Sequence, residues 1–246
     1  MLSEGNVAPL SSRRVAGFAV HAFTASGTVC AFLAALATHA GDTRAAFFWL
    51  AVAVAVDAVD GFLARLADVK SHVPEIDGAR LDDIVDYMTF VLVPLFLLVR
   101  LGLLAGAPGL GAAILALLCS ALRFVHTGAK TPDHLFTGFP SYWNVIALYA
   151  YVFAFTPGTT ALLVAVLALL VLAPLRFIYP SRTVRLRGWS VALGLVWAGL
   201  LLAVIAALPG RAVGLATLSL GYPLYYVAAS LWLDRFTGPP NGRQLP

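Results

Sequence analysis

The amino-acid sequence predicts an all-α integral membrane protein of about eight transmembrane helices with both termini on the cytoplasmic side. Three observations lead there. Of 246 residues, 61% are hydrophobic and 11% charged, too few polar side chains to clothe a globular surface of this size. The apolar residues fall in runs that match a hydrocarbon core of about 30 Å, which roughly 20 helical residues cross. The basic residues then sort almost entirely to one side of those runs.

Residues 1–14 are polar and read as a cytoplasmic N-terminal segment. The apolar runs follow at about 15–38, 45–67, 79–104, 109–127, 140–157, 159–180, 188–208 and 213–234. The first exceeds the core of a secretory signal peptide and lacks its small-residue cleavage site, so it is expected to stay as a helix. Pro157, Pro174 and Pro180 punctuate the sixth run and leave its ends open, which sets the range at six to eight crossings. Residues 15–235 are expected to form one membrane domain, and 236–246 a cytoplasmic tail. With an internal N-terminus, all of the 16 Lys and Arg except Arg44, Arg100 and Arg211 fall on the inner side.

A net charge of +4 does not point to nucleic acid, because the positive charge is spread over inner loops that face anionic lipid. Cys30 and Cys119 lie inside predicted helices without metal-ligand spacing and read as small buried apolar residues. Three inner connections carry most of the polar and aromatic character: 65–80, "HTGAKTPDHLFTGFPSYWN" at 126–144 and "RFIYPSRTVRLR" at 176–187. The outer connections are short and bland, so function is expected on the inner side.

The segment "DAVDGFLARLADVKSHVPEIDGARLDDIVDY", residues 57–87, holds eight of the 12 acidic residues. If the second helix runs inward from about Ala45, residues 45–56 cover about 18 Å, and Asp57 and Asp60 lie below the membrane surface. A carboxylate at that depth costs about 2.5–3.5 kcal/mol on insertion scales. Asp57, Asp60, Gly61 and Ala64 share one helix face at i, i+3, i+4, i+7, with Arg65 one position on. Gly78, Asp82 and Asp86 share a face of the next, antiparallel helix at i, i+4, i+8. The small residues permit close approach of helix or ligand. Ion pairs with Arg65 and Arg80 would leave two of the four aspartates uncompensated. One or two divalent cations resolve the repulsion, and an all-oxygen donor set favours Mg²⁺ or Mn²⁺. Two such ions suit a diphosphate, with Arg65 adding fixed positive charge. Asp68, Glu75, Asp77 and Asp83 read as a solvated loop or helix face.

The pattern Asp57-x2-Asp60-Gly61-x2-Ala64-Arg65-x12-Gly78-x3-Asp82-x3-Asp86 resembles the signature of the CDP-alcohol phosphotransferases, membrane enzymes of phospholipid synthesis. The commonest form of that signature has about eight residues between arginine and glycine, where this chain has twelve. The longer spacer, about eight spans, and the segments "AVHAFTASG" (19–27), "DVK" (68–70), "DGARLDDIVDYMTFVLVP" (77–94), "KTPDHLFTGFPSYWN" (130–144) and "PLRFIYP" (174–180) resemble the bacterial branch that uses choline. The resemblance implies transfer of the phosphatidyl group of CDP-diacylglycerol to choline with release of CMP. It implies that Asp57, Asp60, Asp82 and Asp86 hold two divalent ions, with Asp86 also the general base. Gly61, Ala64, Arg65 and Gly78 line the nucleotide and phosphate part of the site. It implies a multi-pass protein of the bacterial inner membrane with a cytoplasmic active site, and leaves a homodimer open.

Choline is a quaternary ammonium, so aromatic faces are its physical recognition mode. Two or three of Tyr87, Asp133, Phe136, Phe139, Tyr142, Trp143 and Tyr179 are expected to form its pocket, although Tyr and Trp also gather at membrane interfaces whatever the function. Tyr222, Tyr225, Tyr226 and Trp232 read as lipid or packing residues. His21 is open between interhelical packing and substrate contact, Asn144 reads as interhelical hydrogen bonding, and Lys130, Arg176 and Arg182 are open between topology and phosphate. Serine, inositol or glycerol phosphate is the alternative acceptor. From another class, a cation transporter also places aspartates in helices, but typically near the midplane in paired broken helices.

Overall fold

The computed structural model describes residues 11–126, 135–174, 176–178 and 187–237. Helix α1, Ser12–Ala40, starts at Ser11, whose hydroxyl accepts from the Arg14 N–H, and stops at Gly41, where φ is 77°. Gly41 and Asp42 then turn the chain into α2, Thr43–Leu66, with the Asp42 carboxylate accepting from the Ala45 N–H at 2.9 Å. At 29 and 24 residues these helices are long enough to cross a bilayer.

The twelve-residue spacer is folded. It contains a single helical turn, α3 (Val69–His72), and it docks on α1 through the buried Val69 and Val73. A Cβ at Gly17 of α1 would lie 2.6 Å from Val73 Cγ2, so glycine there makes the notch that receives the spacer. Its acids do local work. Asp68 accepts from the Ser71 hydroxyl at 2.9 Å, Glu75 pairs with Arg14, and Asp77 caps α4 (Gly78–Asp86) by accepting from the Ala79 and Arg80 N–H groups.

Helix α4 continues without a break through a π-helical turn, Tyr87–Leu92, into α5, Val93–Arg100. Pro94 explains the widened turn: it offers no N–H, and in a regular α-helix its ring would press on the carbonyl of Phe90. There follow α6 (Gly106–Phe124), β1 (Leu135–Thr137), α7 (Trp143–Val152), α8 (Pro157–Leu172), β2 (Arg176–Ile178), α9 (Arg187–Ala206), α10 (Val213–Ser219) and α11 (Gly221–Thr237). Helix α1 packs on α2 and along α3 to α5, while α6 packs on α8. The core between them is built from Leu50, Leu95, Leu97, Leu98, Trp143 and Val164, all nearly or fully buried.

Strands β1 and β2 pair antiparallel, with Phe136 opposite Phe177, a short ribbon within an otherwise helical chain, as the all-α expectation requires of the rest. Three residues a side are too few for a period-2 pattern to announce. Gly138, at φ +83°, brings the chain against the end of α8, and the Phe139 N–H satisfies the Leu170 carbonyl at 2.9 Å.

Four of the described helices, α1, α2, α6 and α9, are long and apolar enough to cross a membrane. Large apolar side chains such as Phe32, Leu118, Leu169, Leu195 and Val196 face outward, as expected where the solvent is lipid. The other predicted runs coincide with helical stretches that are shorter or interrupted: 78–100 by the π turn, α7 at 10 residues, α8 at 16, and α10 to α11 by a break at Leu220.

Candidate active site

Helix α2 carries Asp57, Asp60, Gly61, Ala64 and Arg65, and α4 carries Gly78, Asp82 and Asp86. The two helices bring one carboxylate oxygen each of Asp57, Asp82 and Asp86 within 4.8 Å of one another, and all three residues are half-buried. Asp60, one turn further along α2, is 7% exposed and close enough to act electrostatically on Asp86, although it is not one of the three that converge. Two negative charges at that separation repel by about 3 kcal/mol at an effective dielectric of about 20. The Asp86 Oδ1 is buried and has no hydrogen-bond partner among the described residues. Arg80 on α4 is directed to Asp77, with which it pairs at 3.1 Å. Three converging carboxylates, one of them on a residue with an orphan acceptor oxygen, and no sulfur or nitrogen donor in the cluster fit a hard divalent cation.

The motif glycines have separate roles. A Cβ at Gly61 would lie 3.5 Å from a guanidinium nitrogen of Arg65, so the arginine lies back over the glycine along the helix. A Cβ at Gly78 would lie 3.0 Å from His21 Cε1, so α1 presses its histidine against α4 at that point. Gly27 makes the equivalent notch for Val85. Gly17, His21, Thr24 and Gly27 are all buried on one face of α1.

The expected choline-pocket residues divide. Asp133 and Tyr179 lie outside the described residues, as does the side chain of Phe136, whose backbone is in β1. Tyr87 faces α6: its hydroxyl donates to the Leu117 carbonyl at 3.1 Å, and its ring meets Phe124 edge-on at 5.9 Å. Trp143 is fully buried and donates its indole N–H to the Ser120 hydroxyl at 3.0 Å, with Phe139 edge-on at 5.6 Å. The hydroxyl and indole N–H of these two are therefore engaged in helix packing. Tyr142 is placed differently, 6.0 Å from Phe90, which lies one turn beyond Asp86.

Tyr226 of α11 belongs with Tyr142 and was not among the expected pocket residues. Its ring stacks on Phe177 at 6.0 Å and 11°, its hydroxyl is buried without a partner, and Tyr142 lies within electrostatic reach. Two aromatic pairs, Phe90 with Tyr142 just before α7 and Phe177 of β2 with Tyr226 of α11, thus lie within electrostatic reach of each other, the first starting one turn from the carboxylates. A tyrosine in an apolar terminal helix carries no sequence signal of this, since β2 is what brings Phe177 to it.

The family model described as CDP-alcohol phosphatidyltransferase matches residues 21–205. A Bradyrhizobium diazoefficiens protein named phosphatidylcholine synthase is 41% identical over 79% of this chain and 73% of its own length. A Pseudomonas aeruginosa protein of the same name is 35% identical over 92% of this chain and 94% of its own length. One from Rhizobium meliloti, again so named, is 34% identical over 74% and 76%.

Proposed function

This chain belongs to the CDP-alcohol phosphatidyltransferase family, and we propose that it transfers the phosphatidyl group of CDP-diacylglycerol to choline, giving phosphatidylcholine and CMP. The observation that carries this reading is the meeting of Asp57, Asp82 and Asp86 between α2 and α4, in a chain whose relatives bear that name along most of their length.

Asp57, Asp60, Asp82 and Asp86 would hold the divalent ions, two Mg²⁺ or Mn²⁺. When bound, such ions neutralise the diphosphate and stabilise charge on its leaving oxygen. The rest falls to the chain's own groups. Asp86, whose Oδ1 has no donor, accepts the proton of the choline hydroxyl. The choline oxygen forms a bond to the phosphorus carrying diacylglycerol, the bond from that phosphorus to the CMP oxygen breaks, and CMP departs with the electron pair. Arg65, lying along Gly61, offers its guanidinium to the diphosphate. Gly61 and Ala64 keep the α2 face low enough for the nucleotide, and Gly78 of α4 leaves room for the His21 ring beside it.

We take Tyr142, Tyr226, Phe90 and Phe177 as walls of the choline pocket, because phenol and phenyl faces attract a quaternary ammonium. Replacing Tyr226 by Ala is expected to raise the choline KM about tenfold or more and leave the CDP-diacylglycerol KM unchanged. An unchanged choline KM removes Tyr226 from the pocket. We read residues 15–235 as one domain crossing the bacterial cytoplasmic membrane eight times, both termini and the site on the inner side.

The deciding assay uses membranes carrying the protein with CDP-diacylglycerol, Mg²⁺ or Mn²⁺, and labelled choline, serine, inositol or glycerol phosphate in parallel. Label is expected in lipid with choline. Label from serine but not choline would make this a sibling enzyme with another acceptor. Cation flux without CMP release would make it a transporter.

A further inference from the structure

Among the described residues, the buried His21 Nε2 stands beside the motif helix without a hydrogen-bond partner. His21 is 7% exposed, and its Cε1 and Nδ1 lie 3.0 and 3.5 Å from the position of a Cβ at Gly78. From that contact, Asp82 and Asp86 follow at one and two turns along α4, and the packing of Gly27 on Val85 holds the two helices together up to the residue before Asp86. The ring thus closes one end of the face that carries two of the three converging carboxylates.

A phosphate at the start of a helix is ordinarily met by free backbone N–H groups. Here the Ala79 and Arg80 N–H groups are already taken by the Asp77 carboxylate. A diphosphate held along Asp82 and Asp86 therefore finds no free donor in those two N–H groups, and on the α1 side His21 Nε2 is, among the described residues, a buried nitrogen without a hydrogen bond. A neutral imidazole protonated at Nε2 supplies one N–H donor without adding charge.

We propose that His21 donates a hydrogen bond from Nε2 to a diphosphate oxygen of CDP-diacylglycerol, and that position 78 is glycine because the imidazole fills the space of its Cβ. This rests on the reading that the aspartate cluster binds the nucleotide diphosphate. It makes His21 a substrate-binding residue of the nucleotide-lipid and not of the acceptor.

The test compares purified full-length wild type, His21→Leu and His21→Gln. The two variants are similar in volume, and only Gln keeps an N–H donor. Three quantities are read: KM for CDP-diacylglycerol at saturating choline, KM for choline at saturating CDP-diacylglycerol, and equilibrium binding of labelled CDP-diacylglycerol with Mg²⁺ but no choline. His21→Leu is expected to weaken CDP-diacylglycerol by about tenfold in both KM and binding, with choline KM unchanged. His21→Gln is expected to recover most of the loss. Gly78→Ala should show the same selective weakening in the wild-type background and add little on top of His21→Leu. Wild-type KM and binding for CDP-diacylglycerol in His21→Leu would overturn the proposal, as would equal losses in the Leu and Gln variants. Should His21→Leu fail to fold, His21→Met, unbranched and without a donor, decides on the same readouts. If wild type itself neither binds CDP-diacylglycerol nor releases CMP with any alcohol, the failure lies in the reading of the cluster and not in His21.

Discussion

Asp86→Asn is expected to lower kcat for CMP release by about 10³-fold or more. Asparagine preserves shape and one oxygen acceptor but cannot take the proton of an attacking hydroxyl, and general-base losses of this kind span about 10²–10⁴. The site makes Asp86 the natural place for that loss, because its Oδ1 is buried without a donor among the described residues and its carboxylate converges with those of Asp57 and Asp82. A choline-dependent CMP-release assay on purified protein checks it, with the melting temperature as a control for folding. Removing one of several converging negative charges is expected to leave the fold intact or firmer, so lost activity with retained melting behaviour isolates the chemistry. Substantial activity in Asp86→Asn would assign the proton to another group.

Stripping divalent cations with a chelator is expected to reduce the rate to background, and added Mg²⁺ or Mn²⁺ to restore it. Three carboxylate oxygens within 4.8 Å are poorly arranged to bind an anionic diphosphate without a cation between them. A graded version places the cation at these residues: Asp57→Asn should raise the cation concentration for half-maximal rate by about tenfold or more, while Asp77→Asn, on the capping carboxylate outside the cluster, should leave it unchanged. Full activity in chelator would remove the cation from the reaction.

Much of this site was legible because helix periodicity is a local property. The spacings of Asp57, Asp60, Gly61 and Ala64, and of Gly78, Asp82 and Asp86, place these residues on two faces before any tertiary contact is known, and α2 and α4 carry them as expected. The capping and pairing roles of Asp68, Glu75 and Asp77 also agree with their reading as surface acids. What periodicity cannot report is which of four aspartates converge. That depends on the crossing of α2 and α4, and it brings together Asp57, Asp82 and Asp86, with Asp60 a turn away. The aromatic residues were harder still. Tyr87, Trp143 and Tyr226 are alike in composition terms, yet two of them have their polar atoms spent on α6 and the third has an unpartnered hydroxyl. Their difference arises from long-range packing, including a two-strand ribbon too short to leave a pattern. The spacer of 66–77 was visible as an oddity of length, whereas its docking through Val73 into the Gly17 notch was not.

The π-helical turn at Tyr87–Leu92 has a rotational consequence. One extra residue in a helix shifts everything beyond it by about 100° around the axis. Helix α4, whose angular setting is fixed by His21 on Gly78 and Val85 on Gly27, and α5, whose setting is fixed by Leu95, Leu97 and Leu98 in the core, are therefore two separately indexed gears on one shaft, with the wide turn as the coupling that lets both mesh. Deleting a single residue there, such as Met88, would remove the rotation that the turn supplies and force one gear out of mesh: either the carboxylates swing away from Asp57, or the core leucines turn toward lipid.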